Sequence, residues 1–358
     1  MATKSETLLR QFTEAHGPPG FEGEIRALFV EELEAAGDFS TDRTGSVLCD
    51  MGGEGPRVLL EAHMDEVGFR VQSVTYGGFL RMNAGGGWWP HVVLAQQLVI
   101  KTRGGKKITG VVGSKPPHFL PKAERGKVMP LESMFVDIGA ASRDEVLEMG
   151  IQLGDPIVPR TDFEPLARGG RFLAKAFDNR VGMCAVVEAG QRLRTIERRN
   201  RVLLAGSVQE ELGLRGAKTL ASLAKPDVAI ILEGTPADDT PGFHADESQA
   251  ILKAGVQIRM HDPTAVMNPR LADLAIKTAE EENIPFQLAV RRGGGTDAGE
   301  IHLAGEGVPC VVLGVPARYI HSHNSIIDIA DYQAMVDLSV ALVGRLSSPR
   351  VSSLVEYL

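Results

Sequence analysis

The sequence predicts an α/β layered fold with a mixed, largely parallel sheet, interrupted by a small inserted all-β piece. Three observations carry this. The short, nearly continuous apolar runs RVLLEA (57–62), RVLLAGSV (201–208), VAIIL (228–232) and CVVLGV (310–315) read as strands covered on both faces. Helical stretches near 179–195, 214–223, 268–283 and 330–346 alternate with them, as in a parallel sheet flanked by helices. The stretch from about 67 to 163 has a different texture, in which strand follows strand.

In chain order, residues 5–36 read as helical, with Ile25, Leu28, Phe29 and Leu33 at the spacing of one buried face. VQSVTYGGFLRM (71–82) and LVIKTRGGKKITGVVG (98–113) read as hairpins turning at Gly-Gly. FVDIG and DPIVP add short strands, and only SRDEVLEMG (142–150) looks helical there. The expected division is an α/β domain built from residues 1–66 and 164–358, with residues 67–163 inserted. The competing reading is one domain with a long irregular excursion.

Composition narrows the function classes. The 358 residues carry a net charge of −8, with 43% apolar and 23% charged residues, ordinary for a globular chain. A net negative charge without a Lys/Arg cluster argues against nucleic acid or anionic lipid as partner. No run approaches 18 apolar residues, so no membrane span is expected. The opening MATKSETLLR lacks the layout of a secretory signal, which points to the cytoplasm. Cys49, Cys184 and Cys310 are odd in number and far apart, and read as buried thiols. The 40 glycines are in excess and aperiodic, so they should mark turns and close backbone approaches.

Ligands of such sheets bind beyond the carboxyl ends of the strands. The apolar runs end there in groups that bind metal or move protons: His63-Met64-Asp65, Gln209-Glu210-Glu211, Glu233, and His321-Ser322-His323. Asp178-Asn179-Arg180 opens a helix. Singly, each has a bland reading: a hydrogen-bonded pair, an N-cap at Asp178, an acidic first turn at Glu210-Glu211, loop histidines. Together they suit a two-metal hydrolytic centre, which needs about five protein ligands, one bridging carboxylate and a further carboxylate as base. His63, Asp178, Glu211, Glu233 and His321 fill the ligand set and leave Glu210 as the base. Imidazole and carboxylate ligands suit zinc, with cobalt or manganese as alternatives. Gly293-Gly294-Gly295 after FQLAV reads as a backbone wall beside the reaction centre, and Gly85-Gly86-Gly87 as an irregular loop of the insert.

On these residues the sequence resembles the TET-type aminopeptidases, glutamyl/leucyl aminopeptidase-like dizinc metallopeptidases, some of which carry an endoglucanase label. The resemblance runs through LLRQFTEAHGPPGFEGEIR, AHMDEVGF, AKAFDNRVG, QEELGLRGA, GGGTDAGEIH and PARYIHSHNSIID. It implies a zinc-peptidase-like α/β/α sandwich, with the insert as a dimerisation domain. It also implies removal of the N-terminal residue from peptides with a free N-terminus, using two divalent metal ions. Asp178 would bridge the metals, Glu210 act as base, and Asp65 support the first ligand, His63. A cis-like peptide is implied at Asp178–Asn179, as are a homo-oligomer, dimeric through the insert, and a tetrahedral dodecamer. Glu233 stands where many relatives carry aspartate, and its extra methylene bears on reach and metal preference. The rival readings are a deacylase or dipeptidase on the same scaffold, and a metal-binding assembly protein without catalysis. Arg291 and Arg292 either favour acidic substrates or are solvated. His118 either approaches a neighbour's active site or is a plain loop histidine.

Overall fold

The computed structural model describes residues 2–167 and 169–358. Its main sheet has eight strands, in the order Asp38–Thr41, Val47–Asp50, Arg201–Ser207, Arg57–His63, Val228–Pro236, Cys310–Ala317, Val256–His261 and Phe286–Val290. The four apolar runs are the four central strands, and all are mutually parallel. Val256–His261 runs antiparallel to them, as does Val47–Asp50, so the sheet is mixed.

Alternation explains why those runs are apolar throughout. Successive strand residues face opposite sides, and here both sides are covered. Val58, Leu60 and Ala62 pack in the larger core with the helices Lys4–Glu14, Phe177–Leu193 and Ile329–Arg345. Leu59, Leu203 and Ile231 face the other layer, formed by Arg215–Ala224 and the short helix Ala298–Ile301. The helices expected near 179–195, 214–223, 268–283 and 330–346 are observed as Phe177–Leu193, Arg215–Ala224, Pro269–Glu281 and Ile329–Arg345.

The insert is a closed barrel of six strands, Gly68–Val74, Leu80–Gly85, Phe135–Asp137, Lys107–Gly113, Gln97–Lys101 and Pro156–Pro159. Closure leaves no free edge, and the barrel has its own core around Phe69, Leu80, Ile100, Val136 and Ile157. The one helix expected there is Arg143–Glu148, capped by the Ser142 side chain.

The helical reading of 5–36 resolves into two helices, Lys4–Glu14 and Gly23–Glu32, with a turn between them. Between them lie Pro18 and Pro19, which lack an N–H and bias the preceding residue away from helix. The second helix meets the barrel through Glu24, which accepts from Lys101 Nζ at 2.6 Å, Lys107 Nζ at 3.3 Å and the His16 N–H at 2.9 Å. Burial would raise the Glu24 carboxyl, but these donors win and hold it near 2, below its ordinary 4.5. A depressed carboxyl contributes stability above its unfolded value, and that contribution is lost as pH falls through the folded one. In metal-stripped protein, Glu24→Gln should lower the Tm by about 1–3 °C at pH 7. The difference should vanish between pH 4.5 and 2 in thermal melts; a pH-independent difference would refute the linkage.

Candidate metal centre

Because the four central strands are parallel, their carboxyl ends share one edge of the sheet, and the candidate residues collect there. His63 is the last residue of its strand, and Glu233 lies within Val228–Pro236. After Arg201–Ser207 the chain turns at Gln209, with φ +56°, into the single 3₁₀ turn Glu210–Leu212. That turn is what lets two adjacent glutamates reach one site. After Cys310–Ala317 the loop takes Tyr319 and His321 into the left-handed region, at φ +61° and +55°. Non-glycine residues held there are strained, and such strain gathers where surroundings fix the geometry.

Asp178 is placed by its neighbour. The peptide Asp178–Asn179 is cis, and both residues depart from helical dihedrals at the start of Phe177–Leu193. The N-cap reading of Asp178 is not what occurs. Asn179 does that work: its Oδ1 accepts from Gly182 N at 3.0 Å and Gly234 N at 3.1 Å, while Nδ2 donates to the Leu232 carbonyl. Gly234 must be small, since a Cβ there would lie 2.8 Å from the Phe177 carbonyl oxygen. Asp178 is thereby free to point into the site.

The distances describe a compact donor set. His63 Nε2 lies 3.2 Å from Asp178 Oδ1, 3.7 Å from Glu233 Oε2 and 3.9 Å from Glu210 Oε2. His321 Nε2 lies 3.4 Å from Asp178 Oδ2 and 3.5 Å from Glu211 Oε2. Two groups have all donor atoms within 4.8 Å of one another, His63 with Asp178 and Glu211, and His63 with Glu210 and Glu233. Each imidazole is oriented by a backbone carbonyl on its Nδ1 side, Asp65 O at 3.1 Å for His63 and Gly87 O at 2.7 Å for His321. Both Nε2 atoms therefore face the carboxylates, as metal ligands do.

Electrostatics fit cations. Burial raises Glu211 to about 8, despite the opposing charge of His321, and raises Glu210 and Glu233 well above the carboxylate range. Burial would also raise Asp178, yet the flanking His321 and His63 hold it low. Burial lowers a lone imidazole, but the surrounding carboxylates carry His63 well up and His321 to about 9. Four carboxylates gathered around two imidazoles share protons unless divalent cations replace them. The donor set fits two such ions. Beside it opens a cavity of about 420 Å³, lined by the donor residues, Leu214, Pro236, Thr264, Ile320 and the backbone of 293–296.

The profile of the M42 glutamyl aminopeptidases matches residues 45–338, and a second, AMPT, matches residues 3–29. The chain belongs to the M42 family. It is 35% identical over 354 residues to a glutamyl aminopeptidase of Lactococcus lactis, covering 98% of each chain. Its fold superposes with a TM-score of 0.95 on a TET aminopeptidase from a marine-sediment archaeon of the Thaumarchaeota, at 40% identity, covering 98% of this chain and 99% of that one. The TET1 peptidase of Pyrococcus horikoshii, described as assembling into a tetrahedron or a large octahedral shell, matches at 0.86 and 30% identity, over 96% and 100% of the two chains. With two metal-capable groups built into this fold, the chain is a metallo-aminopeptidase of the M42 family.

The centre is also bordered by residues whose sequence context suggests other roles or none. Asp65 does not support His63 mainly through its carboxylate, whose nearer oxygen is 3.6 Å from Nδ1. Its buried Oδ1 and Oδ2 accept instead from the N–H groups of Glu210 and Glu211, at 3.0 and 3.1 Å. Gly87, assigned to a loop of the insert, reaches the centre from the barrel. Beneath the site, Ser207 donates to Asp297, and burial together with the Asp297 charge raises Glu61. A glutamate inside an apolar strand was the visible signal for that pair. Arg291 is bound to Asp238 at 2.8 Å and to the Pro236 carbonyl, Arg292 is exposed, and His118 lies in an exposed turn. Asp65→Asn leaves one acceptor oxygen for two N–H donors. It should weaken metal binding by ~10–100-fold with the fold retained, measured by chelator competition; wild-type affinity would contradict the role.

Proposed function

We propose that the enzyme removes the N-terminal residue from peptides with Glu210 as general base. In this reading His63, Asp178 and Glu233 would hold one divalent ion, and Asp178, Glu211 and His321 would hold the other. The observation that carries it is the placement of Asp178, whose two oxygens face two different imidazoles, 3.2 Å from His63 and 3.4 Å from His321. An imidazole with Nδ1 committed has one lone pair left and serves one ion. A carboxylate has two oxygens and can span both. His63 belongs to both geometric groups, but it is Asp178 that suits the bridge.

When bound, the two ions supply an acidified water and polarise the scissile carbonyl. Glu210 takes the proton of the attacking water and returns it to the leaving amine. Its position on the 3₁₀ turn, with its N–H fixed by Asp65, leaves its carboxylate the farthest of the three from the His63 Nε2 atom, 3.9 Å against 3.2 Å for Asp178 and 3.7 Å for Glu233, which suits a base more than a ligand. The cavity walled by the 293–296 backbone accommodates the N-terminal side chain, and the free α-amine restricts cleavage to the chain end. A deacylase or dipeptidase would use the same centre without that restriction. Glu233 reaches to 3.7 Å of His63, which supports its use in place of the usual aspartate. Zinc suits the donor types first, with cobalt or manganese next.

A homo-oligomer accompanies this reading. On the barrel and its long loop, Tyr76, Trp89 and Phe119 are 90%, 62% and 70% exposed, apolar surface that a partner copy would cover. The TET1 relative supports a tetrahedral assembly. A reducing cytoplasm suits three free, buried cysteines. Among the described residues, no helix is long and apolar enough to cross a membrane.

The deciding experiment strips the metal, reloads Zn²⁺, Co²⁺ or Mn²⁺, and compares aminoacyl reporters with their N-acetylated forms. Activity should return with metal and require the free amine; cleavage of the N-acetyl forms would favour a deacylase. Glu210→Gln should retain both ions while kcat falls about 10²–10⁴-fold. Near-wild-type turnover would remove Glu210 from the role of base.

A further inference from the structure

The barrel and the metal centre meet at one short loop. The strand Leu80–Gly85 leaves the barrel into Gly86, Gly87 and Trp88, and the Gly87 carbonyl accepts from His321 Nδ1 at 2.7 Å. Committing Nδ1 as donor leaves the Nε2 lone pair toward Asp178 and Glu211. The His321 side chain is 37% exposed against 2% for His63, and it sits on a loop rather than a strand. Its orientation therefore depends on that carbonyl more than the orientation of His63 depends on any one contact.

The glycines cannot hold the loop by themselves. Gly86 lies at φ +100°, and a Cβ there would sit 2.7 Å from Val67 Cγ1 and 3.2 Å from Glu211 Oε2, so the position trades a side chain for close approach. The anchor is Trp88. Its indole Nε1 donates to the Gly68 carbonyl at 3.1 Å, and its ring stacks on Phe69 of the barrel core with centroids 4.6 Å apart. It also packs beside His323, with ring centroids 5.4 Å apart. Thr161 Oγ1, beyond the last barrel strand, donates to the His323 carbonyl at 2.6 Å. The two residues flanking the Gly87–His321 bond, one on each chain segment, are thus packed on each other and tied to the barrel.

We propose that Trp88 is a positioning residue for the metal ligand His321, so that the barrel sets the affinity of one of the two ions. Trp88 fixes the Gly87 carbonyl, the carbonyl fixes the imidazole, and the imidazole with Glu211 holds the ion. The other ion is independent of this path, because the carbonyl that orients His63 comes from Asp65, two residues along the same strand end. The inference rests on the two-ion assignment above.

The test is titration of metal-stripped wild type, Trp88→Ala, Trp88→Phe and Lys106→Ala with Zn²⁺, by equilibrium dialysis and calorimetry. Trp88→Ala should keep one ion at wild-type affinity and bind the second ~10–100-fold more weakly. Trp88→Phe keeps a stacked ring without the indole N–H and should fall between. Lys106→Ala, in the exposed hairpin turn of the same barrel, should match wild type. Wild-type affinity for both ions in Trp88→Ala, or equal weakening of both, would overturn the proposal. Should Trp88→Ala fail to fold, an unchanged second ion in Trp88→Phe would overturn it equally. Uptake of a single ion by wild type would overturn the two-ion assignment instead, an outcome read before any variant is compared.

Discussion

The structure is organised around the burial of Asp178 between two imidazoles. A carboxylate removed from water is costly unless opposite charge and hydrogen bonds surround it. Here it stands among Glu210, Glu211 and Glu233 as well, an arrangement of like charges that only cations or shared protons can stabilise. Every nearby element is placed by that requirement. The parallel strands bring His63 and Glu233 to one edge, the turn after Ser207 brings both glutamates, and a left-handed loop brings His321. The scaffold spends apolar core, buried on both faces of the central strands, to hold an edge that would otherwise repel itself.

What fixes the candidate ligands is mostly backbone. Carbonyls of Asp65 and Gly87 set the two imidazoles, and the N–H groups of Glu210 and Glu211 are set by the Asp65 carboxylate. Asn179 caps the helix so that Asp178 need not. Such contacts place atoms more closely than flexible side chains could, because each peptide has only two soft dihedrals. A second layer lies behind them: Glu66 holds Lys175 at 2.7 Å and Arg180 at 3.1 Å, fully buried beneath the helix start. Removing either partner would leave a charge with no water to solvate it.

An inserted barrel need not be a mere attachment. Its position here is closer to that of a wall. It has its own core and no free edge, yet one of its loops ends at His321, a ligand in the proposed two-ion centre. Glu24 and the 161–163 segment tie it to the α/β domain on other sides, through ion pairs, hydrogen bonds and the Phe163 ring, which is buried in the larger core against Phe172. Ties of both kinds hold the barrel's orientation against the sheet.

The amino-acid sequence by itself determined the layer architecture and the chemistry. Doubly buried strands must be apolar throughout, and the residues that end them are exceptions to that pattern, so His63, Glu210, Glu211, Glu233 and His321 stood out. Six motifs in order determined the family. Tertiary structure alone decided which atoms meet. Nothing local in Gly87 distinguishes a carbonyl that faces solvent from one that faces His321, 234 residues away. Nothing local in Asp65 says that its carboxylate serves two backbone N–H groups while its carbonyl serves the imidazole. Periodicity and composition report which residues are buried, because burial is a property of each side chain's chemistry. Hydrogen-bond partners across long sequence separations depend on how the turns aim the chain, and that direction exists only once the sheet, the helices and the barrel have packed.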